Sequence, residues 1–118
     1  MKPTEKMDPS IFVEFFGDYP FIRALDFLLE NDGFDYSKKD IAKNADVSWN
    51  TLETFWSELE EMQIVSYTRQ VGKAKMYKLN GQNPIVKQLH ELDKRLLKAS
   101  MEKIGKPVKT ISMAADSD

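Results

Sequence analysis

Apolar residues recur along the chain in blocks, and the spacing within the blocks changes character twice. Ile11 to Phe16 (IFVEFF) is a dense apolar cluster that Gly17-Asp18 interrupts. Asp18 is placed to cap a helix with Pro20 near its first position. Phe21, Ile22, Leu25, Leu28 and Leu29 then keep helical spacing to about Glu30, where Asn31-Asp32-Gly33 is a stop signal. Ser37, with Asp40 three residues on, opens a short helix whose buried side is Ile41, Ala42 and Ala45 and which ends near Asn44 or Ala45. Asp46-Val47 is a tight turn. Ser48 caps a longer helix running to about Met62, on which Leu52, Phe55, Trp56 and Leu59 share one face and Asn50, Thr54, Ser57 and Glu61 the opposite one.

After Met62 the helical period gives way to alternation. Ile64, Val65, Tyr67 and Val71 are β-prone, Gly72 punctuates the run, and Met76, Tyr77 and Leu79 resume it. The pattern predicts a β-hairpin over residues 64–79 with Gln70-Val71-Gly72-Lys73-Ala74 at or near its tip. Asn83 caps a fourth helix, residues 83–102, with Pro84 at its first position. Along it Ile85, Leu89, Leu92, Leu96 and Ala99 fall at alternating steps of four and three, an apolar seam of about two heptads. Residues 1–10 and 103–118 read as polar, disordered tails around a single domain, residues 11–102. The fold class is therefore mainly α with a small β-hairpin.

Composition narrows the chemistry. At 118 residues the chain fits one domain and needs no disulfide or metal staple. With no cysteine and a single histidine, thiol chemistry, cysteine-based metal sites and a multi-histidine zinc site are all excluded. No apolar run is long enough for a transmembrane helix, and MKPTEKMDPS leading into a stretch that holds Glu14 is not a signal peptide, so a cytoplasmic protein is expected. No glycine-rich phosphate loop occurs, and nothing places two carboxylates in a shared cleft. His90 is expected on a solvated helix face. No residue is a catalytic candidate, and no cofactor or metal is expected.

The net charge of −2 at first argues against a nucleic-acid partner. Its distribution reverses that inference. Residues 1–68 hold six basic and fourteen acidic side chains, a net of −8, whereas residues 69–109 hold eleven basic and three acidic ones, a net of +8.

The segment Ile41-Ala42-Lys43-Asn44-Ala45-Asp46-Val47-Ser48-Trp49-Asn50-Thr51-Leu52 resembles a helix-turn-helix: small alanines let two helices approach, Val47 plugs the turn, and Leu52 anchors the second helix. With the glycine-tipped basic hairpin behind it, the chain resembles a winged-helix DNA-binding protein of the broad MarR/ArsR-like type. The phrases FFGDYPFIRALDFLLEN, VSWNTLETFWSELEEMQIV and TRQVGKAKMYKLN are similar to those of small archaeal winged-helix regulators, over roughly residues 11–100. The resemblance implies a winged helix-turn-helix with a flanking N-terminal segment and a C-terminal helix, binding double-stranded DNA.

On that reading the helix over 48–62 enters the major groove by its N-terminal end. Trp49, Asn50, Thr51 and Thr54 are the candidates for base contacts: Asn50 suits adenine, and the threonines suit a thymine methyl. Trp49 either packs against the hairpin or lies against the sugar-phosphate backbone. Ser48, Ser57, Arg69, Lys73 and Lys75 are the candidates for backbone or wing contacts, and alternation along the strands puts Arg69, Lys73 and Lys75 on one surface if the tip turn permits. Glu53 either accepts from cytosine N4 or pairs with a wing lysine. Ile85, Leu89, Leu92 and Leu96 are the expected homodimer seam, with IFVEFF as a second candidate. A winged helix used for protein–protein contact without specific DNA binding is the alternative.

Overall fold

Ser10 accepts a hydrogen bond from the Val13 amide and so starts a six-residue helix, α1 (Ile11–Phe16), in the computed structural model, which describes residues 10–104. The apolar cluster IFVEFF is therefore helical, and Phe12 and Val13 are its buried side. Gly17 ends it at φ 108°, where a Cβ would meet the Tyr19 ring at 2.5 Å. The expected tail over 1–10 thus loses Ser10 to a capping position; residues 1–9 and 105–118 lie outside the described part.

Helix α2 (Pro20–Glu30) begins with proline at its first position, but its N-cap residue is Tyr19, with no side-chain capping bond. Asp18 does not cap it because its carboxylate is held by Arg23 Nη1 at 2.8 Å. Two residues, Tyr36-Ser37, form β1, a strand absent from the sequence reading. Helix α3 (Lys38–Ala45) is capped by Ser37 on the Asp40 amide, and α4 (Trp49–Glu61) by Ser48 on the Thr51 amide. The hairpin comprises β2 (Val65–Val71) and β3 (Ala74–Leu79), joined through Gly72-Lys73, with Gly72 at the φ of 62° that so tight a turn requires. β3 is the middle strand, antiparallel to both β1 and β2. Helix α5 (Pro84–Ile104) runs two residues past its expected end. Asn83 accepts from the Ile85 amide, while its own amide group donates to the Met62 and Gln63 carbonyls, tying the start of α5 to the end of α4.

One core holds these elements together. Leu25, Leu28 and Leu29 of α2, Ile41 and Ala45 of α3, Leu52, Trp56 and Leu59 of α4, Tyr77 and Leu79 of β3 and Val86 of α5 are all buried in it. No buried side chain among the described residues is charged. Trp56 meets the Tyr77 ring edge-on at 5.2 Å, and its Nε1–H finds no acceptor, so part of the gain from burying that indole is forfeited. The order of elements and the three-stranded sheet are those of a winged helix-turn-helix.

Candidate nucleic-acid interface

The turn between α3 and α4 fixes where α4 stands. Asp46 adopts the left-handed region at φ 59°, which aspartate tolerates better than most residues, and its amide caps α3 on the Ala42 and Lys43 carbonyls. Arg23 then reaches across from α2: Nε donates to the Ala45 carbonyl at 2.9 Å and Nη2 to the Asp46 carbonyl at 2.8 Å. Two of the guanidinium's donors thus hold the turn to the scaffold, while Nη1 is taken by Asp18. Sequence patterning gave no sign of this role, because the partners are backbone carbonyls more than twenty residues away.

With Leu52, Trp56 and Leu59 locked inward, the first turns of α4 present Trp49, Asn50, Glu53, Thr54 and Ser57 outward. Asn50 and Ser57 are exposed. Thr51 is half-buried and receives a hydrogen bond from the Ser48 hydroxyl at 2.9 Å, while the Thr54 hydroxyl donates to the Thr51 carbonyl at 2.6 Å. Ser48 is engaged as the cap. Of the four residues expected at base edges, Asn50 therefore has the freest polar groups, and Thr54 is exposed.

Trp49 does not sink into the hairpin; it is 48% exposed. It walls a cleft of about 610 Å³ between the start of α3, the start of α4 and the wing, together with Lys38, Lys39, Lys73, Lys75 and Tyr77. No acidic residue lines it. Burial pushes the Tyr77 phenol above its ordinary range, so this hydroxyl stays neutral.

The structure separates the three wing residues expected on one surface. Strand β2 carries a bulge between Tyr67 and Arg69, so Tyr67 pairs with Tyr77 but Arg69 pairs with Met76 and Gln70 with Lys75. One inserted residue flips every side chain beyond it to the other face. Arg69 consequently leaves the face of Lys75 and Tyr77 and lies with Lys78 over the loop before β1. There Nε donates to Asp35 Oδ2 at 2.9 Å and Nη2 to Oδ1 at 3.1 Å, a bidentate pair that the Thr68 hydroxyl joins. These hydrogen bonds from Arg69 hold the Asp35 carboxyl at about 2, well below its usual value.

Two further pairings differ from expectation. Glu53 meets no wing lysine; its Oε2 lies 2.8 Å from Lys38 Nζ on α3. His90 is not simply solvated, since its Nε2 lies 2.8 Å from Asp32 Oδ2, linking α5 to the loop after α2. The α5 seam is not free as a whole either. Leu89 and Leu96 pack on this chain's own core and Leu92 is half-buried, while Ile85, Leu97 and Met101 are exposed. Val86, one residue off the seam, is the fully buried anchor of the helix. At the other end of the chain Phe15, Phe16, Tyr19 and Phe21 are exposed, and α1 packs on α5.

Among the described residues there is no cluster of three or more histidines and carboxylates able to hold a metal, and no helix long and apolar enough to cross a membrane.

No family model matches the chain, and no curated protein matches it in sequence. Solved structures do match it in fold. A Lactococcus lactis ZitR variant in apo form aligns at 14% identity over 89% of this chain and 85% of its own, with a TM-score of 0.60. NadR in complex with 4-hydroxyphenylacetate aligns at 16% identity over 89% of this chain and 74% of its own, TM-score 0.56. Streptococcus pneumoniae FabT in complex with DNA aligns at 21% identity over 81% of this chain and 68% of its own, TM-score 0.55. These similarities show that the chain has a winged helix-turn-helix fold.

Proposed function

We propose that this chain is a sequence-specific, double-stranded DNA-binding transcription regulator acting as a homodimer. Helix α4 enters the major groove, and the wing lies on the backbone or in the minor groove. The observation that carries the reading is the juxtaposition at the start of α4. An outward polar face, with Asn50 and Thr54 at base-reading positions, stands beside a cleft with four lysines and no acid. A fold neighbour crystallised with DNA adds support from the fold.

In this assignment Asn50, Thr54 and the edge of Trp49 meet base edges, with Thr51 behind them. Ser48, Ser57, Lys73 and Lys75 meet the backbone, and Arg69 braces the wing through Asp35. Two copies pair through α5 and α1, using the outward Ile85, Leu97 and Met101 and the exposed Phe15 and Phe16, with Leu92 at the margin. Pairing on a two-fold axis spaces the two reading helices about one turn of duplex apart.

Selection of bound sequences from a random duplex pool tests this directly. The expected result is an enriched, two-fold symmetric motif. Recovery of no motif, with binding no tighter than to random duplex at physiological salt, favours the winged helix as a protein-contact module.

A further inference from the structure

The acid on the reading helix is the feature that duplex binding leaves unexplained. Glu53 sits on the groove-facing part of α4, where a free carboxylate repels phosphate. Its partner is Lys38, the first residue of α3, at 2.8 Å. The same ammonium lies 5.2 Å from the ring centroid of Trp49 and 5.7 Å from that of Trp56, and the Lys38 side chain is only 23% exposed. An ammonium over two indoles and against a carboxylate is constrained from three sides, and partial desolvation strengthens each contact. Its neighbour Lys39 is exposed, as are Lys73 and Lys75 across the cleft, and among the described residues none of these three makes an ion pair.

We propose that Lys38 is a positioning residue that turns this cleft into the seat of one segment of DNA backbone. It holds Glu53 in an ion pair and fixes the Trp49 indole. Lys39, Lys73 and Lys75 remain as uncompensated charges for the phosphate, with the free side of Trp49 for the deoxyribose beside it. The division of labour is between a lysine that never touches DNA and three that do. The inference rests on the duplex-binding reading above.

Duplex binding by the full chain, titrated at several salt concentrations, tests it with Lys38→Met, Glu53→Gln and the double variant. Methionine keeps an unbranched stem between the indoles and removes only the charge. Lys38→Met is expected to weaken binding about tenfold, because it frees a like charge beside phosphate. Adding Glu53→Gln to it is expected to restore binding to within about threefold, since the uncompensated acid is then gone. The same Glu53→Gln change is expected not to rescue Lys75→Ala, which loses a phosphate contact and about 0.9 of log–log salt slope. Lys38→Arg, which keeps the ion pair and the stacking, is expected to bind as wild type and separates a lost charge from a lost fold. Equal rescue of Lys38→Met and Lys75→Ala by Glu53→Gln reduces the effect to summed charge and overturns the proposal, as does unchanged binding by Lys38→Met. Absence of duplex binding by the wild-type chain removes the duplex-binding reading and this inference with it; the wild-type titration separates that failure from the other two.

Discussion

On one face of the hairpin, Arg69 spends its guanidinium on Asp35, whose side chain is 16% exposed, and Thr68 completes the contact. On the other face, Lys73 and Lys75 stand at the rim of a cleft that contains no acid. The two faces belong to the same short ribbon, and their basic residues lie within seven positions of each other in the sequence. Arg69 uses its charge internally to tie the wing to the loop before β1, whereas Lys73 and Lys75 make no ion pair among the described residues. A count of basic residues along a strand therefore overstates the charge available for binding. What decides availability is whether folding has already supplied a counter-charge.

The sharpest way to break this comparison is to remove what the open face is built on. Tyr77 anchors it against Trp56, so Tyr77→Ala is expected to cost about 3–5 kcal/mol, read as a lowered denaturant midpoint. A loss below about 1 kcal/mol, on the scale of an ordinary surface change, makes the cleft wall an incidental contact.

Next in size is the contrast in salt dependence. Replacing Lys73 and Lys75 together by Ala is expected to flatten the log–log salt slope of duplex binding by about 1.8 with no change in thermal stability. Arg69→Met is expected to leave most of the slope intact and to lower thermal stability instead. Equal slope changes from the two variants erase the distinction between the faces.

The smallest effect is a pH signature confined to the braced face. Asp35 titrates at about 2 in the folded chain, below its ordinary 3.8, so its ion pair stabilises the fold above about pH 4 and that contribution is lost as pH falls toward 2. In Arg69→Met the Asp35 carboxyl is expected to return toward its ordinary value, as followed by NMR of its side-chain carbon. A titration unchanged by the substitution assigns the shift to something other than Arg69. Asp26 and Glu30 run in the opposite direction. Burial raises both, Asp26 despite the bond from Ser10, and the charge of Asp93 adds to each. Their contribution to stability therefore grows as pH falls through the raised values.

Much of this architecture was legible because it is local. Ser37, Ser48 and Asn83 each cap a helix through an amide two or three residues on, a relation visible in any short window. The change from helical to alternating period located the wing, and Gly72 its turn. The failures share a cause as well. Asp18 looked like a cap until Arg23 claimed it. A two-residue strand such as Tyr36-Ser37 exists only because β3 pairs with it, so no pattern of its own announces it. On α5 Leu89 and Leu96 of the expected seam pack on the core, yet Ile85 is exposed and Val86 beside it is the fully buried residue, because the side of a helix that is covered is set by what packs on it and not by its own period. For the candidate site, helix α4 and its outward polar residues were legible, while the Lys38–Glu53 pair and the bulge that turns Arg69 away were not.

The sequence by itself determined the order of the four longer helices and the hairpin, where α3, α4 and α5 start, which face of α4 is polar, and that positive charge gathers from the wing onward. These follow from hydrogen bonds and periodicities that span a few residues. Only the tertiary structure decided which charges remain free. The Arg69–Asp35 and Lys38–Glu53 ion pairs and the His90–Asp32 hydrogen bond join residues 34, 15 and 58 positions apart, and a single inserted residue in a strand reassigns a side chain from one face to the other. Charge is a property of the residue, but its availability is a property of the packed neighbours, and those neighbours are set by the fold.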